Sequence, residues 1–186
     1  MSILKIAQMG HPVLLQPAAA IDPAAIAGDP LLQQLIDDMI ETLGDAGGVG
    51  LAAPQVYQGK RLILAMAPEG RSEGEGAPLH ILINPELELT AEPDQLGWEG
   101  CLSIPGLRGA VPRSPSLRFH GFDRTGQSVT SEANGFFARV LQHEVDHLDG
   151  VLYPMRMKDF RYFGFDEELN RLEAEARAAE GDHDDE

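Results

Sequence analysis

Between Phe136 and Leu148 the chain reads as a helix, and one stripe along it carries Phe136, Val140, His143 and His147. Their spacing stacks side chains on a single helical face. An apolar stripe is buried against the rest of a fold, so the two imidazoles that continue it are buried with it. Buried rings with polar nitrogens need partners. Two histidines four residues apart project from adjacent turns and reach one metal ion together. In the run His143-Glu144-Val145-Asp146-His147, Glu144 sits beside the first ligand, where a carboxylate can exchange a proton with water at a metal without filling a coordination position. A five-residue pattern on a polar helix face arises by chance often enough that its apolar surroundings carry much of the argument.

The rest of the chain supplies what such a helix packs against. After Asp29 and Pro30, an N-cap and a first helical residue, Leu32, Leu35, Ile36, Met39, Ile40 and Leu43 recur at helical spacing. The pattern dissolves at Gly44, and Gly47, Gly48 and Gly50 predict a flexible loop that brings backbone close to something. Arg61–Ala67, Leu79–Asn84 and Glu86–Thr90 read as strands, with Pro68–Pro78 an exposed loop to which we assign no function. Leu117–Phe122 and Gln127–Ala133 read as a hairpin turning at Asp123-Arg124-Thr125-Gly126, and Gly97–Pro115 as a glycine- and proline-rich loop. A last helix over Asp166–Ala179 leads into a frayed, charged end. Strands grouped between helices without βαβ alternation predict an α+β fold. We expect one domain over 1–186, with an ordered core about 1–165 and an acidic helix and tail over 166–186.

Composition excludes several classes of function. Of 186 residues, 43% are hydrophobic and 24% charged, which is inconsistent with disorder as the main state. Runs such as Leu62–Ala67 fall far short of the roughly 18–20 apolar residues of a membrane helix. Fourteen Lys and Arg against thirty Asp and Glu leave a net charge of −16, which repels phosphate backbones and anionic lipid, so neither nucleic acid nor membrane is an expected partner. The N-terminus has neither a secretion signal nor an Arg-rich transit pattern, and a cytoplasmic location is expected. Cys101 is the only cysteine, which leaves packing, metal ligation or nucleophilic chemistry as its roles.

A catalytic metal site takes three protein ligands and keeps a position open. Two residues compete for the third place. Cys101, 42 residues before His143, is a soft thiolate suited to a transition metal, although a lone cysteine is more often a small buried hydrophobe. Glu167, 20 residues after His147, has the separation of a distant glutamate ligand, but its simpler reading is a solvated position at the start of an acidic helix.

Three blocks bear on the choice: Gly48-Val49-Gly50-Leu51-Ala52-Ala53-Pro54-Gln55, Glu99-Gly100-Cys101-Leu102-Ser103, and Gln142-His143-Glu144-Val145-Asp146-His147-Leu148-Asp149-Gly150. In composition and order they resemble the three motifs of the peptide deformylase family, and the resemblance extends from the first helix to about Leu152. It implies an α+β fold of short antiparallel or mixed sheets around the central HExxH helix. It implies Cys101, His143 and His147 as ligands of one divalent metal, ferrous iron in cells, with zinc, nickel or cobalt able to substitute. The implied reaction removes the formyl group from N-terminal formyl-methionine of nascent chains, with Glu144 moving protons and the Gln55 amide and Leu102 backbone N–H stabilising the oxyanion.

Around that centre, Gly48 and Gly50 are expected to let the loop approach the substrate backbone, and Val49, Phe136 and Val140 to form an apolar slot for methionine. Arg108 matches a basic position of the family and is expected to orient the peptide, though a surface ion pair explains it almost as well. Arg139 reads as a rim residue or a solvated cation. Glu99, Asp146 and Asp149 read as carboxylates that orient ligands or as ion-pair partners, for example of Arg113. His11, His80, His120 and His183 carry no partner pattern. The family brings with it transient docking on the ribosome through a basic C-terminal helix; here 166–186 holds ten acidic residues against Arg171 and Arg177, so that route is not expected. Two other readings stand beside the deformylase: an HExxH metallopeptidase with another third ligand, and an inactive deformylase-like protein that holds a metal or peptide.

Overall fold

The structure, a computed structural model, describes residues 2–70 and 76–181. Helix α1 (Pro30–Ala46) begins where Asp29 Oδ1 accepts the Leu31 and Leu32 N–H groups at 2.9 and 3.1 Å. Gly44 lies on its exposed side, where glycine costs only propensity, so the helix runs two residues past it and closes on Gly47. Its apolar face buries Leu32, Ile36, Met39 and Leu43. Full burial of a side chain such as Ile36 or Met39 contributes roughly 1.5–3 kcal/mol. Replacing the cap, Asp29→Ala, is expected to lower stability by about 1 kcal/mol, read as a lower urea midpoint at unchanged slope.

Eight strands follow in two antiparallel sheets: β1 (Gly50–Ala52), β2 (Leu62–Ala67), β3 (Ala77–Leu89), β4 (Gln95–Cys101), β5 (Ile104–Arg113), β6 (Ser116–Phe122), β7 (Ser128–Asn134) and β8 (Phe163–Phe165). The larger sheet has the order β1-β2-β3-β6-β7, the smaller β4-β5-β8. Strand β2 is almost continuously apolar because both its faces are covered. Leu62 and Leu64 join the α1 cluster, while Ile63, Ala65 and Ala67 join the cluster beneath helix α2 (Gly135–Leu148). Helix α2 buries Phe137, Ala138, Leu141 and Leu148 against the large sheet, and its other side meets the small sheet through Arg139, His143 and Asp146. It is therefore the central layer, and the α+β expectation holds with sheets that are antiparallel throughout. A third cluster, including Leu14, Ile104, Val111 and Tyr153, closes the far side of the small sheet.

Several local expectations are corrected. Gly97–Pro115 is no loop: it holds most of β4 and all of β5, a hairpin turning at Leu102-Ser103. Its glycines hide the strand pattern because tertiary neighbours occupy the space a side chain would fill; a Cβ on Gly97 would stand 2.7 Å from the Arg139 guanidinium carbon. The segments 79–84 and 86–90 are one strand, β3, interrupted where Asn84 takes a left-handed φ of 51°. Asn84 is held there by an exchange of side-chain hydrogen bonds with the Ile21 backbone at 2.9 and 2.7 Å. The glycine-rich loop ends sooner than expected, since Gly50–Ala52 pairs with β2 as an edge strand. Ala77 and Pro78 already belong to β3, and positions 71–75 of the expected loop lie outside the described residues.

The acidic helix α3 (Asp166–Gly181) is present, and 182–186, including His183, lies outside the described residues. Among the described residues no helix is long and apolar enough to cross a membrane.

Candidate active site

Strand β4 delivers Cys101 to α2. The β4–β5 pairing is regular until Gly100 faces Arg108; then Cys101 faces Ile104, so Pro105–Leu107 bulge out of register. Such irregularities re-aim side chains at functional sites. Cys101 Sγ lies 3.2 Å from His147 Nε2, and the donor atoms of Cys101, His143 and His147 all fall within 4.8 Å of one another. Both histidines are buried, His147 to 1% exposure. Among the described residues this is the one group of His, Cys, Asp or Glu side chains that could hold a metal ion. Glu167 is exposed at the start of α3 and takes no part in it.

The chemistry of these donors fits a divalent cation. Burial holds the His147 imidazole well below its ordinary pKa, and neutral imidazole is the form that ligates. Burial also acts to lower His143, but hydrogen bonds with Cys101 and Glu99 overcome it and raise the group well above its ordinary value. Surroundings that favour a proton there favour a metal cation in its place. His143 Nδ1 lies 2.9 Å from Glu99 Oε2, which orients the ring and leaves Nε2 for an ion.

Glu99 is buried beneath this site with its acceptor positions filled. Arg113 binds it through Nε at 2.9 Å and Nη2 at 3.0 Å, and Arg139 Nη1 adds a contact at 2.9 Å. Burial by itself would raise the Glu99 carboxyl; the His143 and Arg113 hydrogen bonds reverse that and lower it to about 2. Arg113 also reaches Asp146 Oδ2 at 2.6 Å, and Arg156 holds the other oxygen of Asp146 at 2.7 Å. Of the two sequence readings for Asp146, the ion pair with Arg113 is the one formed, within a chain of charges that ends on His143. Asp149 instead pairs with Arg61 at 2.8 Å on the surface, where such pairs contribute about 0–1 kcal/mol.

Glu144 differs from every other buried carboxylate here. It is 4% exposed, and its Oε2 has no hydrogen-bond partner among the described residues. Burial, reinforced by the charge of Glu99 and opposed by those of His143 and Arg113, pushes it up to about 7. A carboxyl poised near neutrality beside a donor group that could hold a metal ion is suited to proton transfer. Gly50 makes room for it, since a Cβ at that position would collide with the Glu144 carboxylate.

Across from these groups, Gln55 is 1% exposed. Its Oε1 accepts the Ala52 N–H at 2.8 Å, which turns its Nε2 toward Ser103 Oγ at 3.1 Å and Cys101 Sγ at 3.6 Å. The amide donor is thereby aimed at the metal side of a cavity of about 250 Å³. Gly48, Val49, Gly50, Leu102, Phe136 and Val140 all line this cavity, so the expected substrate-contacting residues converge, with one exception. Arg108 does not form part of the wall: its guanidinium lies 5.1 Å from the Trp98 ring centroid and 3.9 Å from Asp166.

Sequence gives no role to Trp98 or Ser103, and of its two readings of Arg139, rim residue or solvated cation, the structure forms the first. Trp98 and Ser103 sit in the segment read as loop. Arg139 had a signal available, because it lies one turn before His143 and therefore on the same side of α2.

The comparisons with known proteins agree with this geometry. A family model described as polypeptide deformylase matches residues 3–162. Peptide deformylase 2 of Pseudomonas putida is 48% identical over 169 residues, covering 90% of this chain and 94% of that one; peptide deformylase 1 of Nitrosomonas europaea is 44% identical with the same coverage. Among solved structures, a Met-Ala-Ser-bound class I type b peptide deformylase from Acinetobacter baumannii is 38% identical and superposes with a TM-score of 0.78 over 84% of this chain and 100% of that one. A peptide deformylase from Ehrlichia chaffeensis is 28% identical, with a TM-score of 0.78 over 94% and 97% of the two chains. With the Cys101, His143 and His147 group, the buried Glu144 and matches of this extent, the chain belongs to the polypeptide deformylase family.

Proposed function

We propose that this protein is a peptide deformylase, hydrolysing the N-terminal formamide of formyl-methionyl chains to free amine and formate in a bacterial-type cytoplasm. The observation that carries this reading is Glu144, a buried carboxylate with one oxygen unpartnered among the described residues, beside a Cys101, His143 and His147 donor set. A divalent ion held by those three residues supplies a Lewis acid and lowers the pKa of water from about 16 toward about 7. We assign ferrous iron as the native ion, with nickel, cobalt or zinc able to replace it, since a thiolate and two imidazoles accept all of them.

The chain's own groups then have separate tasks. Glu144 takes the proton of the attacking water and passes it to the leaving amine. The Gln55 Nε2–H and the Leu102 backbone N–H stabilise the oxygen of the formyl group as it gains charge; preset donors of this kind are each worth on the order of a hundredfold in rate. Val49, Phe136 and Val140 receive the methionine side chain, and the Gly48 and Gly50 backbone lines the same cavity for the peptide chain, with Gly48 packed on Leu43 and Leu102 and Gly50 on Glu144. Arg108, over the ring of the cavity-lining Trp98, orients the peptide backbone. The acidic first turn of α3, with Glu168 pairing Arg171 at 2.6 Å, disfavours that helix as a dock on ribosomal RNA.

The test is formate release from formyl-Met-Ala-Ser under anaerobic, iron-loaded conditions. We expect turnover of the formylated peptide and none of internal bonds in its unformylated form. Peroxide should inactivate the iron form and spare the nickel form, because ferrous ion beside a thiolate is oxidation-prone; equal sensitivity of the two would overturn iron as the labile element. Internal cleavage of unformylated peptides would favour the metallopeptidase reading, and peptide binding without formate release the inactive one.

A further inference from the structure

The buried charges around Glu99 contain one guanidinium that metal orientation does not require. Arg113 alone grips the Glu99 carboxylate through two nitrogens. Arg139 reaches the same carboxylate from α2 with Nη1 and spends its other contacts on backbone: Nη1 lies 2.8 Å from the Val111 carbonyl and 3.3 Å from that of Gly97, and Nη2 lies 2.7 Å from that of Gln95. Three of its four acceptors, Gln95, Gly97 and Glu99, belong to β4. Because β4 is the edge strand of its sheet, it is paired only on the β5 side, and its position over α2 depends on such contacts. The guanidinium lies on Gly97, next to Trp98, and both Arg139 and Trp98 line the cavity with Phe136 and Val140.

We infer that Arg139 is a positioning residue for substrate: it pins the β4 wall, and with it Trp98, onto α2 at the separation that the substrate's first side chain needs. A planar fork with donors on two nitrogens spans a carboxylate and several carbonyls at once, which a single ammonium does not. This inference rests on the proposed deformylase activity for its substrate, while the pin itself is independent of turnover. Its consequence is a separation of effects. Loss of Arg139 loosens peptide binding and leaves Glu99 held by Arg113, so the metal and the proton-transfer chemistry persist.

The experiment uses the nickel-loaded protein with Arg139→Met, Arg139→Lys, Gly97→Ala and the Gly97→Ala/Arg139→Met double variant. Four readouts are taken: kcat and KM on formyl-Met-Ala-Ser, calorimetric affinity for the tripeptide Met-Ala-Ser, nickel retention against a chelator, and thermal midpoint. Arg139→Met is expected to raise KM and weaken tripeptide binding about tenfold, the scale of one hydrogen bond to a charged group, with kcat changed less than about threefold and nickel retained. Arg139→Lys should recover thermal stability without recovering KM. Gly97→Ala displaces the guanidinium from the opposite side and should raise KM similarly, with the double variant no worse than either single one.

Wild-type KM in Arg139→Met, effects of the two sites that simply add, or losses confined to kcat and nickel retention would each overturn the inference. If Arg139→Met does not fold, Gly97→Ala carries the test. Absence of formate release by the wild-type protein would refute the proposed activity alone, since tripeptide binding would still decide the role of Arg139.

Discussion

Glu144→Gln is expected to keep the fold and a full complement of metal while losing at least about a hundredfold in kcat, and up to about ten-thousandfold, the range for positioned acid–base groups. Glutamine matches the carboxylate in size and fits beside Gly50, so packing is preserved. Its amide cannot take a proton from water. At about 1.4 kcal/mol per tenfold, the loss corresponds to roughly 3–5 kcal/mol of transition-state stabilisation. The carboxylate whose Oε2 has no hydrogen-bond partner among the described residues is the group whose acid–base chemistry disappears. Metal analysis by mass spectrometry with kinetics of the same preparation checks the result, and a Gln variant with near-native turnover would remove Glu144 from the mechanism.

Cys101→Ser tests the ligand set from the opposite direction, with metal content as the primary loss. A neutral hydroxyl is a far poorer ligand than thiolate, and the charge of the donor set changes with it. We expect metal to fall well below one ion per chain after brief chelation, with activity falling in proportion or further. Glu167→Gln should leave both near wild type, because Glu167 is an exposed side chain outside the donor group. The metallopeptidase reading requires the reverse pattern: metal loss in Glu167→Gln and indifference at Cys101. Metal loss confined to Glu167→Gln would sink the assignment of Cys101.

The parts of the site that sequence made legible are those whose chemistry is local. His143 and His147 share a face because four residues are about one helical turn, and Glu144 follows from adjacency. Cys101, equivocal by itself, was chosen over Glu167 by resemblance of its flanking residues. The structure then brings Cys101 into the donor group and leaves Glu167 outside it. Helix α1 was legible through its cap and apolar period, and the hairpin β6–β7 through its turn residues. Strands β4 and β5 were not, because a segment with Gly97, Gly100, Gly106 and Gly109 has no alternation to read. Its strand character comes from the β4–β5 pairing, reinforced by partners distant in the chain: β5 paired with β8, Arg139 laid on Gly97, and a third cluster beneath.

The charges show the same division. Sequence alone determined that His143 and His147 share the apolar stripe of one helix with Glu144 beside the first of them, since helical geometry relates them without reference to any other element. It left Glu99, Arg113, Arg139 and Asp146 as four ionisable residues with several possible partners each. Only the tertiary structure, by laying β4 and β5 across α2, decided that Glu99 holds His143, that Arg113 joins it to Asp146, and that Arg139 secures the wall. The physical reason is desolvation: a buried charge must be paired by whatever the fold places within reach, and that reach is a property of the packed elements that no local pattern encodes.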